Sequence, residues 1–371
     1  MFASNIGSVH FVGQAGSAAS IGIGVMVFEL NGIVVMPLLA WLFAPVYLAS
    51  RASTMPQYLR IRFGGRRIQI YISSMALLLY IFTKISADLY AGTYYLESAL
   101  GIPSYAGILI LLVVGAFITI IGGINAVFWT NVMQVVVILC GATYMLVCVL
   151  EAVFKEEVTS NPNFNASSLE ALFVGFAEAS PKPVSELNHS YHHAEIIKRC
   201  GESLHPDLSF HLIHPPDDEY SPWPGVMVGL TISSIWYWCA DQMMVQHILA
   251  SRNLTHAKFG VIFASVLKFL GPFFFVIPGM ASRVLYTDVI ACSDPFLCQC
   301  YCKSDSGCSN LAYTIFVQDH DKNTSIVHNG GRGLMAATIS AALISSFTVG
   351  DYAIFKIEEN RLYFSFITVN F

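Results

Sequence analysis

Long uninterrupted blocks of apolar residues, separated by short charged stretches, run through most of this chain and limit what it can fold into. Eight such segments can be marked, over about residues 1–21, 24–49, 68–98, 104–121, 126–153, 225–248, 259–281 and 332–348. Each is near the roughly 20 residues a helix needs to cross about 30 Å of hydrocarbon. A soluble domain carries about 25% charged residues. Here the share is 12%, with 55% hydrophobic residues and a mean hydropathy of +0.60. A soluble fold of this length would need a polar surface that such a composition does not supply. The expectation is an all-α polytopic membrane protein.

Charge placement predicts the topology. Residues 51–67 hold Arg51, Arg60, Arg62, Arg66 and Arg67 and no acidic residue, which marks this loop as cytoplasmic. Alternation then places loops 154–222 and 282–330 outside. The first contains the sequons at Asn165 and Asn188, and the second the sequon at Asn323. A further sequon, at Asn253, falls in a short inside loop and reads as chance. The net charge of −5 gives no ground for expecting nucleic acid or a polybasic lipid-binding arm. The apolar opening has neither a basic region nor a small-residue cleavage site, so no cleavable signal peptide is expected.

Cys140, Cys148 and Cys239 lie in apolar segments and are expected to pack as small hydrophobes. Cys292, Cys298, Cys300, Cys302 and Cys308 crowd one polar loop, and Cys200 lies in another. This clustering suggests disulfides on an oxidising side. Zinc is the rival reading, against which stands the lack of an interleaved histidine. His189, His192, His193, His205, His211 and His214 show no metal spacing and read as part of a solvated loop.

Ionisable residues inside spans are costly and become candidates for function. His10, Glu29, Asp241 and Lys268 are such residues, and His10, Glu29 and Lys268 must find partners across helices. Lys84 and Asp88 stand four apart and can pair along one helix face. In the first segment Asn5-Ile6-Gly7-Ser8, followed by Gly13, Gly16, Gly22 and Gly24, disfavours an unbroken helix. Either the helix breaks and frees carbonyls for a cation, or its small residues allow close helix packing. In the eighth segment Ala342, Ser345 and Ser346 share a face, suiting either Na⁺ or close packing. Trp236-Tyr237-Trp238 beside Asp241-Gln242 suits a polyhydroxylated ligand that stacks on one face and hydrogen-bonds at its rim. An interfacial aromatic belt is the alternative.

These residues carry a resemblance to the sodium/solute symporter family, in its animal sodium/glucose cotransporter branch. The matching stretches are Ala3-Ser4-Asn5-Ile6-Gly7, Thr54-Met55-Pro56, Arg62-Phe63-Gly64-Gly65, Tyr80 through Asp88, Trp236-Tyr237-Trp238-Cys239 with Asp241-Gln242, and Pro278-Gly279-Met280. The resemblance implies a LeuT-type fold of inverted repeats, with residues 1–350 as transporter domain, the second repeat incomplete, and 351–371 as a divergent tail. Family members extend beyond both ends. The implied sodium residues are Ala3, Ile6, Ala342, Ser345 and Ser346, and the implied sugar contacts are Asn5, His10, Glu29, Tyr237, Trp238 and Lys268. The family's spacing pairs Cys292 with Cys298 and Cys302 with Cys308, leaving Cys200 and Cys300 unassigned. Three positions depart from the family pattern: Asn131 replaces an aspartate, His247 an arginine and Val9 a small residue.

The implied activity is symport across the plasma membrane by alternating access, with Na⁺ entry driving uptake of a glucose-like hexose. Ser345-Ser346 leans towards the glucose branch, while Cys239-Ala240-Asp241-Gln242 is shared with the inositol branch, so myo-inositol is the alternative substrate. A truncated, non-transporting form is the alternative of another class. No nucleophile–base pair or cofactor motif emerges, so no enzyme is expected. The expected partners are Na⁺ as coupling ion, a neutral sugar or polyol, and the lipid bilayer.

Overall fold

Local chemistry sets where each apolar segment starts and stops. The computed structural model describes residues 1–7, 9–160, 167–179, 208–218, 221–292, 298–299, 302, 307–318, 331–345 and 348, with backbone alone at 98–100, 122–126 and 157–160. Ser346, Cys200, Cys300, the sequons at Asn165, Asn188 and Asn323, and the tail 351–371 lie outside the described residues. Among those described, regular structure is helical apart from one β-bridge between His214 and Pro222. Among the described residues, five helices are long and apolar enough to cross a membrane: Ile23–Ser50, Arg66–Glu97, Ser104–Ile121, Val127–Glu156 and Leu254–Leu285. Gly225–Ala240 and Gly331–Ser345 are shorter apolar helices.

Helix Met55–Phe63 starts at Thr54, whose side chain accepts from the Gln57 amide at 3.4 Å, and it ends at Gly64 and Gly65 with φ of 71° and 82°. Asn253 opens helix Leu254–Lys268 by accepting from the His256 amide at 2.9 Å. Its side chain thus serves as a helix cap.

Helical backbone continues through Ser104–Ser160. Were this run straight, Leu111 and Asn131 would lie about 30 Å apart. Instead Leu111 and Leu343 meet over Gly92, and Asn131 reaches Ser345, only two residues from Leu343. The run therefore bends between its two spans, where Gly122 and Gly123 stand in sequence.

Two segments are discontinuous. The first is helical over Phe2–Asn5, becomes extended at Ile6 (φ −80°, ψ 107°) and resumes from His10. The second departs from expectation, because the segment at 225–248 is not one helix. It breaks at Asp241 (φ −68°, ψ 133°), between the π-helical turn Trp236–Ala240 and helix Gln242–Leu249. Asp241 acts as N-cap of the second half, and its carboxylate accepts from the Met243 amide at 3.3 Å.

The two long loops converge on one end of the bundle. Gly22, at φ 90°, turns the chain from the first segment to the second, and the Ile23 amide donates to the Ser209 carbonyl at 2.9 Å. Gly16 lies against the backbone of Ser309, where an added Cβ would come within 2.8 Å of the carbonyl oxygen. Buried Arg283 donates to the Ala19 carbonyl at 3.1 Å and the Ala179 carbonyl at 3.3 Å, tying two helix ends together. Disulfides join Cys292 to Cys298 and Cys302 to Cys308. His214 differs from the solvated reading: it is buried, between Asp218 and the His211 carbonyl. The arginine-rich loop 51–67 follows helix Ile23–Ser50 at the opposite end.

Candidate functional site

The first break and the second face each other, and side chains from the helices around them close a connected network. Lys268 is buried and ion-paired with buried Glu29. Its ammonium also donates to Asn5 Oδ1 at 2.6 Å, while Asn5 Nδ2 donates to the Tyr237 hydroxyl at 3.0 Å. These two partners fix the orientation of the Asn5 amide. The Gly7 amide, at the break, donates to His10 Nδ1 at 3.3 Å. With Nδ1 accepting there, Nε2 is left to donate to Glu29 Oε1, 3.3 Å away. Trp238 completes the group, with the Lys268 ammonium 5.2 Å from its ring centroid. Gly32 makes room for both, since a Cβ there would lie 2.8 Å from Lys268 Cε.

All six residues named from the sequence as sugar contacts, Asn5, His10, Glu29, Tyr237, Trp238 and Lys268, thus fall in one cluster. A cavity of about 300 Å³ opens beside it, lined by Asn5, His10 and Tyr237 together with Lys84 and Asp88. Glu29, Trp238 and Lys268 stand behind that lining rather than on it.

Lys84 does not hold to the local pairing with Asp88 expected from their spacing. From the π-helical turn Tyr80–Ile85 it reaches Asp241 on the other broken segment, where half-buried Lys84 forms an ion pair with the buried carboxylate. The Tyr80 hydroxyl donates to the same carboxylate. Tyr47 donates to the Cys239 carbonyl at 2.7 Å, and Gln242 Oε1 accepts from the Met55 amide at 2.6 Å. Side chains from two neighbouring segments, with the backbone amide of Met55, therefore meet groups around the second break. The sequence reading missed this knot. Its one legible signal was an aspartate inside an apolar segment, a residue that both caps helices and demands a cationic partner in a membrane.

Of the residues named for sodium, Ala3 and Ser345 are brought together beside helix Phe2–Asn5. Ser345 Oγ lies 3.0 Å from the Ala3 carbonyl oxygen and 2.8 Å from Asn131 Oδ1. One hydroxyl proton cannot serve two acceptors, and buried Asn131 Nδ2 has no partner. Exchanging the amide's oxygen and nitrogen resolves both: Nδ2 donates to Ser345, and Ser345 donates to Ala3. Ala342 is fully buried on the same helix, and Ile6 supplies the extended residue of the break. Ser346 lies outside the described residues. Next to Ala3, Ser4 Oγ lies 2.9 Å from His247 Nε2, so the second departure from the family pattern also touches the first broken helix.

A profile of the sodium:solute symporter family matches residues 1–350. The chain belongs to that family. Among its relatives, sodium/myo-inositol cotransporter 2 of Homo sapiens is 42% identical over 351 residues, which is 94% of this chain and 47% of that protein. Sodium/glucose cotransporter 1 of Ovis aries is 41% identical over 348 residues, 94% of this chain and 48% of that protein. The chain spans about half the length of the curated relatives it matches. A Na⁺-coupled sialic acid symporter, solved substrate-bound and outward-open, superposes with a TM-score of 0.67 at 20% identity, covering 95% of this chain and 63% of that one. That likeness carries the fold, which is of the LeuT type, and the chain is that of a multi-pass membrane protein.

Proposed function

We propose that this chain carries the solute and sodium sites of a sodium-coupled symporter for a neutral sugar, a glucose-like hexose in the first place, at the plasma membrane. The observation that supports it is the single network joining Asn5 and His10 on the first broken segment to Tyr237 and Trp238 on the second, through Glu29 and Lys268. Two broken helices held face to face are where transporters of this fold place substrate and ion. Charge supports the class of ligand. Glu29 is matched by Lys268 and Asp241 by Lys84, so the lysine ammonium groups at the site are already ion-paired, which does not favour an anionic solute. Hydroxyls and amides, with aromatic faces beside them, suit a ring of hydroxyl groups. Ala3, Ile6, Ala342, Ser345 and Ser346 are proposed as the sodium shell, built from carbonyl and hydroxyl oxygens that fit a hard cation.

The relatives include carriers named for glucose and for myo-inositol, at nearly equal identity, so inositol remains the second reading. Uptake of labelled glucose and labelled myo-inositol, each with sodium and with choline replacing it, tests both in cells expressing the full-length gene product. Sodium-dependent glucose uptake that unlabelled inositol fails to suppress supports the first reading. Sodium-dependent uptake of neither removes the proposal.

A further inference from the structure

The net charge of the molecule conceals a strongly basic surface at one end. Between Glu29 and Asp88 the sequence holds no acidic residue, yet it holds five arginines. Residues 61–68 form an unbroken exposed run, Ile-Arg-Phe-Gly-Gly-Arg-Arg-Ile. Phe63 is 68% exposed and Ile61 56%, beside the exposed guanidinium groups of Arg62 and Arg67. Arg62 itself lies over the Phe63 ring at 5.9 Å. The elements packed against helix Met55–Phe63 are chiefly Ala44–Ser50, Arg66–Leu79 and Gln242–Leu249, and none carries a carboxylate.

The depth of this surface follows from helix length. Helix Arg66–Glu97 has 32 residues, or about 48 Å of helix, against roughly 40–45 Å for a bilayer with its headgroups. Its first turn, with Arg66 and Arg67, therefore falls at headgroup level. Helix Met55–Phe63 joins that turn through the tight Gly64-Gly65 link, so it sits at the same depth. At the same end Lys258 lies over Trp41 at 5.2 Å, the cation-and-indole pairing that suits an interface.

We propose that the exposed run 61–68 docks on anionic phospholipid headgroups, with Arg62 and Arg67 against phosphate and Phe63 and Ile61 among the upper acyl chains. Exposed aromatic and aliphatic groups flanked by arginines gain from both parts of such an occupant: the chains remove apolar surface from water, and the headgroups supply the missing negative charge. The docking also bears on the transporting core. The Met55 amide that opens this helix is held by Gln242, the first residue after the second break, so the lipid-facing helix and the hinge are directly linked.

The test uses the purified chain in neutral detergent and fluorescent short-chain lipids followed by polarisation. Phosphatidylserine is expected to bind more tightly than phosphatidylcholine, and Arg62→Gln with Arg67→Gln to weaken phosphatidylserine about 30-fold, the factor for two surface cations. Phosphatidylcholine should be little affected by that change, whereas Phe63→Ser should weaken both lipids. These side chains are exposed, so the variants are expected to fold, which size-exclusion profiles check. Equal binding of the two lipids, or phosphatidylserine binding untouched by the double substitution, overturns the proposal. So does competition by soluble glycerophosphoserine as strong as by intact lipid, since that describes an anion site rather than a docking surface.

Discussion

The two broken helices solve the same problem by opposite means. A break inside a membrane leaves amides and carbonyls without helical partners, and each must be satisfied inside the protein. At the first break the chain uses small residues and its own backbone: Ile6 turns extended, the Gly7 amide reaches His10, and the Ala3 carbonyl faces Ser345. At the second, Asp241, Tyr80, Tyr47 and Lys84 form a closed knot of side chains drawn from several segments. The first therefore leaves a serine hydroxyl and a carbonyl oxygen that the proposed sodium shell would use, and the second commits the Asp241 carboxylate to Lys84 and Tyr80. On the proposed sodium shell, ion response belongs to the first break and positional rigidity to the second.

The largest effect is expected where that rigidity is removed. Asp241→Leu deletes the cap of helix Gln242–Leu249 and leaves the half-buried Lys84 ammonium without that carboxylate. Breaking one side of a buried pair costs about 3–5 kcal/mol. The expected outcome is loss of the monodisperse peak in size-exclusion after mild heating. Pairing it with Lys84→Met should recover part of the loss, because the stranded charge is then gone. A double variant as unstable as the single would mean that the cap, rather than the ion pair, holds the break.

Glu29→Gln should act next in size, and differently. Hydrogen bonds to charged groups contribute roughly 1.5–3 kcal/mol, or about 10- to 150-fold in affinity. Glu29 already accepts from Lys268 and His10, so the substitution disturbs the network behind the cavity as well as any sugar hydroxyl. Lys268→Met added to it should restore thermal stability without restoring sugar binding. Recovery of both would place Glu29 in the scaffold alone.

How much of this was legible depended on whether the signal was local. The broken first segment could be read because Asn5-Ile6-Gly7-Ser8 is a run of poor helix formers. Glu29 and Lys268 could be flagged because a lone charge in an apolar block must be compensated, but their pairing across more than two hundred residues was not visible. Asp241 was seen as an intramembrane acid, whereas its role as helix cap was hidden, because the apolar block around it continues on both sides. Lys84 was assigned to Asp88 by spacing alone. The π-helical turn Tyr80–Ile85, which alters the helical register and points Lys84 elsewhere, leaves no mark in hydropathy.

The smallest effects give the sharpest comparison, since one hydroxyl bonded to one backbone carbonyl can be removed at each break. Ser345→Ala frees the Ala3 carbonyl at the first, and Tyr47→Phe frees the Cys239 carbonyl at the second. Each hydrogen bond contributes about 1 kcal/mol, so the two variants should lose similar thermal stability when sodium is absent. They should part when sodium is added. If the first break is the ion site, sodium protects the wild type and Tyr47→Phe over the same concentration range, because ligand stabilisation depends only on the affinity for the folded state. Ser345→Ala lacks one ligand oxygen and should need about tenfold more sodium for the same protection, the factor that corresponds to about 1.4 kcal/mol. Potassium at equal ionic strength separates ion binding from salt screening. The measurement is a thermal melt of each variant across a sodium titration. A shift in sodium requirement for Tyr47→Phe as large as for Ser345→Ala would show that the two breaks respond to the ion together, and that dividing them into a responsive and a rigid joint is wrong.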